Sequence, residues 1–136
     1  MALLDRALLR FLALTPALVV AGCGMGGPAH QPALGNAAEV VDMGFESFNP
    51  SVVNVRVGQT VEWRNKSIIT HSVTDDPKLA ATPGDAGLPA GVEPFSSGDI
   101  AAGAIFTHTF LAPGTYAYFC THHEGAGMVG KIIVSP

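Results

Sequence analysis

The chain has 136 residues, of which 13% are charged, and it carries 16 glycines, 10 prolines and a formal net charge of −4 at pH 7. This length allows one domain with a single hydrophobic core. The acidic balance and the absence of any basic cluster in the sequence exclude a nucleic-acid-binding surface of the usual kind.

Residues 1–22 are predicted to be an export leader. Two arginines precede an apolar run, Phe11 to Val20, which is too short to span a bilayer. The small residues Ala21 and Gly22 lie directly before Cys23, which resembles the bacterial lipobox, where the cysteine is acylated and becomes the new amino terminus. We therefore expect lipidation at Cys23, which would hold the protein on the extracytoplasmic face of a bacterial membrane, periplasmic or cell-surface. The alternative is ordinary secretion with a chance cysteine.

Residues 23–38 are predicted to be a flexible linker, because they carry no charge and no apolar period. A flexible chain of this length would hold the following domain, residues 39–136, at a root-mean-square distance of about 20 Å from the membrane. The domain could then swing between membrane-bound partners.

From Glu39 onward, short runs rich in branched and aromatic residues predict strands. Alternation across residues 60–65 places Val61 and Trp63 on the core face of one strand, with Glu62 and Arg64 on the other face. The predicted strands are 39–43, 45–49, 52–57, 60–65, 70–74, 104–111, 115–120 and 129–134, and residues 98–100 are a further candidate strand. Seven or eight short strands with almost no amphipathic helix predict an all-β sandwich.

Residues 75–97 interrupt the strand pattern and are rich in proline and glycine, so a long surface loop is expected there. Its acidic residues are either a docking patch or ordinary solvated loop surface. They are Asp75, Asp76, Asp85 and Glu93.

The loop between the last two strands combines a thiol, two imidazoles and a thioether. Cys120 is followed three residues later by His123 and five residues after that by Met128, with two glycines between these last two. Thiolate, imidazole and thioether ligands together suit copper that cycles between two oxidation states. The spacing therefore predicts three ligands of a copper site.

A fourth ligand must come from elsewhere, and His71, in the alternating run 70–74, is the best candidate. Two imidazoles and a thiolate with a weak axial methionine form a blue-copper electron-transfer site. Taken alone, a buried cysteine is usually a small hydrophobe. If Cys23 is acylated, however, Cys120 has no disulfide partner in an oxidising compartment, and a metal would explain its survival. The alternative is a Cys23–Cys120 bridge, which would tie a flexible terminus to the far end of the domain.

The order Cys, two residues, His, four residues, Met, followed by Val-Gly-Lys-Ile-Ile-Val, resembles the plastocyanin and amicyanin branch of the cupredoxins. The resemblance covers residues 39–136. It implies a Greek-key β-sandwich with one copper ion cycling between Cu(I) and Cu(II), and a histidine edge presented at an apolar surface for electron transfer. The ligands it implies are His71, Cys120, His123 and Met128.

Four further side chains carry expectations of their own. His122 departs from the family pattern, since plastocyanins usually carry proline there, and we expect an exposed imidazole near the mouth of the site. His108 is expected to face outward from its strand. Ser72 and Thr121, which follow His71 and Cys120, are candidates for a hydroxyl clasp between the two ligand segments.

The chemistry predicts a one-electron carrier rather than an enzyme, because full coordination leaves no open position for substrate. Its donor and acceptor would be redox proteins of the cytochrome or oxidase kind, and the carrier itself a monomer. A multicopper enzyme would need more domains and more than the 5 histidines present, and a binuclear copper centre would need two nearby cysteines. Copper storage or delivery to an enzyme of the cell envelope is the remaining alternative.

Overall fold

The computed structural model describes Ala37 and residues 39–136, so the predicted leader, Cys23 and the rest of the predicted linker lie outside the described residues. Within these residues, seven strands form two sheets, and one short 3₁₀ helix spans Glu124–Ala126. The strands are β1 Glu39–Met43, β2 Phe48–Asn49, β3 Val52–Arg56, β4 Thr60–Asn65, β5 Ile105–Thr109, β6 Gly114–Phe119 and β7 Val129–Ser135.

The two sheets contain four and three strands, in the orders β2-β1-β4-β5 and β3-β7-β6. Each sheet has one parallel pair, β1 with β4 and β3 with β7, and its other pairs are antiparallel. The chain crosses between the sheets three times, from β2 to β3, from β3 to β4 and from β5 to β6, which fits the connectivity of a Greek-key sandwich. The predicted all-β sandwich is confirmed.

Within the part of the chain that the structure describes, no helix is both long enough and apolar enough to cross a membrane.

The core is centred on Trp63 of β4, which is fully buried together with Val61, as the alternation predicted. The Trp63 ring meets Tyr118 of β6 edge to face, with ring centroids 5.4 Å apart, and so joins the two sheets. Glu62 alternates onto the opposite face, yet it is only 1% exposed and its carboxylate contacts the Arg64 guanidinium. Both faces of β4 are therefore covered.

The segment around His71 is not the strand that its alternation predicts. His71 exchanges two backbone hydrogen bonds with Ile100, at 3.1 and 2.7 Å, whereas Thr74 exchanges two with Phe119, at 3.1 and 3.0 Å. Because its two ends pair with different neighbours, the segment does not extend either sheet. It bridges the β6 edge of one sheet and the residues that precede the β5 edge of the other.

His108 does not face outward, so that prediction was wrong: its side chain is half-buried against aromatic residues. Its ring stacks on Phe95 with centroids 4.4 Å apart and meets Phe110 edge to face at 4.8 Å. Burial lowers the pKa of His108. His108 is covered because β5 lies at a sheet edge and the loop that carries Phe95 packs against this strand.

The loop of residues 75–97 lies mostly at the surface but is fastened to the core at several points. Phe95 is buried, and its ring centroid lies 6.0 Å from that of Trp63. Gly87 exchanges two backbone hydrogen bonds with Ala117 of β6, at 3.0 and 2.8 Å. The loop therefore covers the edge strands, where unpaired backbone groups would otherwise be exposed.

Asp75, which was grouped with the acidic loop surface, is instead fully buried. Its Oδ1 accepts a hydrogen bond from the Phe95 N–H at 2.8 Å, while Oδ2 is buried without a partner among the described residues. Burial raises the pKa of Asp75 from 3.8 to about 6, against the opposing effect of the Phe95 hydrogen bond. The carboxyl group therefore anchors the loop but is costly to ionise.

This shift predicts a measurable pH dependence of stability. The folded protein keeps the Asp75 proton to a higher pH than the unfolded chain, so the contribution of this group to stability falls as pH rises from about 4 to about 6. Asp75→Asn keeps an acceptor for Phe95 and cannot ionise. We compare the free energies of unfolding of the two metal-free proteins, measured with denaturant. The value for the variant minus that for wild type should increase by about 2–3 kcal/mol between pH 4 and pH 7.

Glu93→Gln, at an exposed position of the same loop, is the matched control and should show no such gain. A difference between Asp75→Asn and wild type that stays constant with pH would contradict the burial of an ionisable Asp75.

Candidate metal centre

Three of the predicted ligands converge at one end of the sandwich. The donor atoms of His71, Cys120 and His123 all lie within 4.8 Å of one another. Cys120 Sγ is 3.7 Å from His71 Nδ1 and 3.5 Å from His123 Nδ1. His71 and Cys120 are fully buried, whereas His123 is half-buried. Among Ala37 and residues 39–136, no other group of histidine, cysteine or acidic side chains forms such a cluster.

The loop after β6 is closed by its own backbone. Cys120 N–H donates to the Met128 carbonyl, Met128 N–H donates to the His123 carbonyl and His123 N–H donates to the Cys120 carbonyl, each at 3.1 Å. Gly127 ends the short helix with φ of 83°, an angle that side chains disfavour. The spacing of the three loop residues thus produces a compact loop that begins and ends at one place.

Met128 is fully buried and directly precedes β7. Both of its backbone polar groups bond to the other two loop residues, so its position is fixed relative to Cys120 and His123. Its side chain belongs to the same buried cluster as the Cys120 side chain.

Ser72 and Thr121 connect the two ligand segments. Ser72 N–H donates to Cys120 Sγ at 3.3 Å, and the Ser72 and Thr121 hydroxyl oxygens are 2.8 Å apart. Thr121 N–H also donates to Ser72 Oγ, at 2.9 Å. The hydroxyl of Ser72 is therefore held by both the backbone and the side chain of Thr121.

His122 points away from the convergent donors. Its side chain is 42% exposed, and its Nε2 lies 2.7 Å from Asp99 Oδ1. The ring is 6.2 Å from that of His123, measured between centroids. Of the two adjacent histidines, only His123 is placed to share an ion with Cys120.

Burial and the neighbouring His123 lower the pKa of His71, and burial is the larger effect. A lowered pKa keeps the imidazole neutral, and the neutral ring is the form that binds a metal.

Two features of the centre were not predicted from the sequence. Ser67 Oγ lies 2.9 Å from His71 Nε2, where the sequence analysis treated residues 66–69 only as a connection. Glu124 accepts hydrogen bonds from Ala81 N–H at 3.0 Å and Thr82 N–H at 2.8 Å, which fastens the ligand loop to the long loop. No sequence pattern marks either contact, because each depends on how distant loops pack.

The donor set fits copper. One thiol and two imidazoles form the cluster, no carboxylate belongs to it, and a thioether residue is locked into the same loop. Carboxylate-poor, sulfur-containing sites favour copper over magnesium or calcium. The arrangement therefore fits a type 1 copper centre, and copper is the cofactor that these residues suit.

Comparison with known proteins agrees with this chemistry. A model of copper binding proteins of the plastocyanin/azurin family matches residues 36–135. The chain is similar to the chloroplastic plastocyanin of Tetradesmus obliquus, with 38% identity over 106 residues, 73% of this chain and 68% of that protein. It is similar to the plastocyanin of Nostoc punctiforme, with 32% identity over 98% of this chain and 99% of that protein.

Among solved structures, the fold is similar to that of a reduced mutant of amicyanin. The TM-score is 0.59 and the identity 26%, over 79% of this chain and 95% of that one. A family match over most of the chain and a donor cluster of the matching chemistry lead to one conclusion. The chain belongs to the plastocyanin/azurin family of copper binding proteins.

Proposed function

We propose that the protein is a one-electron carrier whose single copper ion is held by Cys120, His71 and His123, with Met128 as a weak axial ligand. The observation that carries the proposal is a buried thiol placed between two imidazoles by hydrogen bonds of the protein itself. When bound, copper would supply one-electron redox chemistry, by cycling between Cu(II) and Cu(I).

Hydrogen bonds around the centre support this role because they restrain the sulfur of Cys120, the ring of His71 and the backbone of the loop that carries His123 and Met128. Ser72 N–H restrains the sulfur, and Ser67 restrains the His71 ring. The backbone bonds among Cys120, His123 and Met128 restrain the loop. A site that is already formed requires little rearrangement when its charge changes, which favours electron transfer.

The route for the electron is proposed to be the His123 edge. Of the three converging donors, only His123 is partly exposed. The residues that follow it, Gly125 to Gly127, are exposed and small, so a partner could approach closely. Full coordination leaves no position for a substrate, so we infer that the protein is not an enzyme.

We further propose that the carrier works outside the cytoplasm. The leader of residues 1–22 and acylation at Cys23 would hold it at a membrane, and residues 23–38 would act as the tether to a domain of residues 39–136. A monomeric carrier of this kind would meet a redox donor and a redox acceptor in turn.

The visible spectrum and a redox titration of the copper-loaded protein test the proposal. We expect an intense visible thiolate-to-Cu(II) charge-transfer band and reversible one-electron cycling, because the sulfur lies inside the donor cluster. Cys120→Ser should remove the band. Colourless copper that is readily surrendered to a chelator would contradict an electron carrier and would instead indicate copper storage or delivery.

Copper should also stabilise the fold, because the donors meet only in the folded chain. At a free copper concentration of about 100 times Kd the gain is about 2.7 kcal/mol, which raises Tm by roughly 10 °C or more in calorimetry. His71→Ala and His123→Ala should lose most of this increase.

His122→Ala is the matched control and should keep the full increase, because its ring points away from the donors. An increase that survives in His123→Ala but disappears in His122→Ala would overturn the ligand assignment.

The Ser72–Thr121 clasp makes a separate prediction. Thr121→Val removes the hydroxyl contact but keeps the backbone bond to Ser72, so metal-free protein should lose about 0.5–1.5 kcal/mol of stability. Because Ser72 also contacts the sulfur, the band position and reduction potential should change as well. The control is Thr115→Val, at an exposed position on β6. If spectrum, potential and stability are all unchanged in Thr121→Val, the clasp has no role.

A further inference from the structure

We propose that Asn65 and Ser67 are positioning residues that fix His71 in one tautomer, with hydrogen on Nε2 and a free lone pair on Nδ1, before any metal binds. The role of this hydrogen-bond network rests on the proposed copper site. The tautomer of His71, however, is a property of the metal-free protein and can be measured without copper.

The orientation of Asn65 is the first step. This side chain ends β4, is 1% exposed, and has its Nδ2 2.8 Å from the Ile69 carbonyl and 3.0 Å from the Ile100 carbonyl. Carbonyl oxygens only accept hydrogen bonds, so the amide nitrogen must face both of them. Asn65 Oδ1 must then face the opposite side, toward Ser67.

Ser67 provides the second step. Its backbone N–H donates to Asn65 Oδ1 at 3.0 Å, and its hydroxyl lies 2.8 Å from the same oxygen. A hydroxyl has one hydrogen, and Asn65 Oδ1 can only accept it. The nearby Ile69 carbonyl, at 3.2 Å, is also an acceptor and would use the same hydrogen. Two oxygens 2.8 Å apart need a hydrogen between them, so the hydroxyl hydrogen is directed to Asn65 Oδ1 and Ser67 Oγ has none left for a further partner.

The third step is the imidazole. His71 Nε2 lies 2.9 Å from Ser67 Oγ, which can offer only a lone pair in that direction. His71 Nε2 must therefore carry the hydrogen and donate it. In a neutral ring this leaves Nδ1 unprotonated, and Nδ1 is the atom that lies 3.7 Å from Cys120 Sγ.

The same residues also fix the backbone of His71. The Ile100 carbonyl accepts hydrogen bonds from both Asn65 Nδ2, at 3.0 Å, and His71 N–H, at 3.1 Å. Asn65, Ser67 and His71 are 1%, 8% and 0% exposed, so bulk water does not compete for these groups. The network thus restrains the His71 ring at Nε2 and the His71 backbone at its N–H.

The test begins with metal-free wild-type protein carrying ¹⁵N-labelled histidine. Long-range ¹H–¹⁵N spectra, recorded where His71 is neutral, should show hydrogen on Nε2 and none on Nδ1. Competition with a chelator should show that Ser67→Ala binds Cu(I) about 10–100-fold more weakly than wild type. Ser67→Thr, which keeps the hydroxyl, should recover most of this loss, and Ser51→Ala, at an exposed position, should bind as wild type does.

Hydrogen on Nδ1 of His71 in the metal-free wild type would overturn the proposal without any variant being needed. So would Ser67→Ala protein that keeps both the wild-type ¹⁵N shifts of His71 and the wild-type Cu(I) affinity. If wild type did not bind copper, the proposed function would fail, but the spectra would still decide the tautomer.

Discussion

The paired backbone hydrogen bonds between Thr74 and Phe119 set the spacing of the metal centre. His71 lies shortly before Thr74 and Cys120 directly follows Phe119, so this pair brings an imidazole and a sulfur from distant parts of the chain to 3.7 Å. The Ser72 N–H bond to Sγ then holds the two segments in register. His123 and Met128 follow the position of Cys120, because backbone hydrogen bonds join the three residues.

The centre has two buried, hydrogen-bonded donors and one donor that solvent or a partner can reach. His71 and Cys120 are fully buried and each is held by a serine, Ser67 at the ring and Ser72 at the sulfur. His123 is the partly exposed donor, on a loop closed by its own backbone. Burial protects the thiol and raises the cost of any unpaired polar group, which explains why the surrounding hydroxyls and amides are so fully bonded. A half-buried donor beside a buried, hydrogen-bonded interior fits the proposed carrier of single electrons.

The sequence predicted those features that depend on local spacing. The alternation around Trp63 identified its core face, and the intervals between Cys120, His123 and Met128 produced a compact loop. Features that depend on distant partners could not be predicted in this way. Alternation around His71 suggested a strand, whereas its ends pair with two different neighbours. Asp75 looked like loop surface because no local pattern reveals that the loop folds back over it.

We propose that one ion is shared by the sulfur of Cys120 and the Nδ1 atoms of His71 and His123. A crystal structure of the copper-loaded protein tests this most directly. We expect copper bonded to those three atoms, with the Met128 sulfur at a longer distance and the His122 ring still directed toward Asp99. Copper on His122, or a Cys120 thiol left without metal, would contradict it.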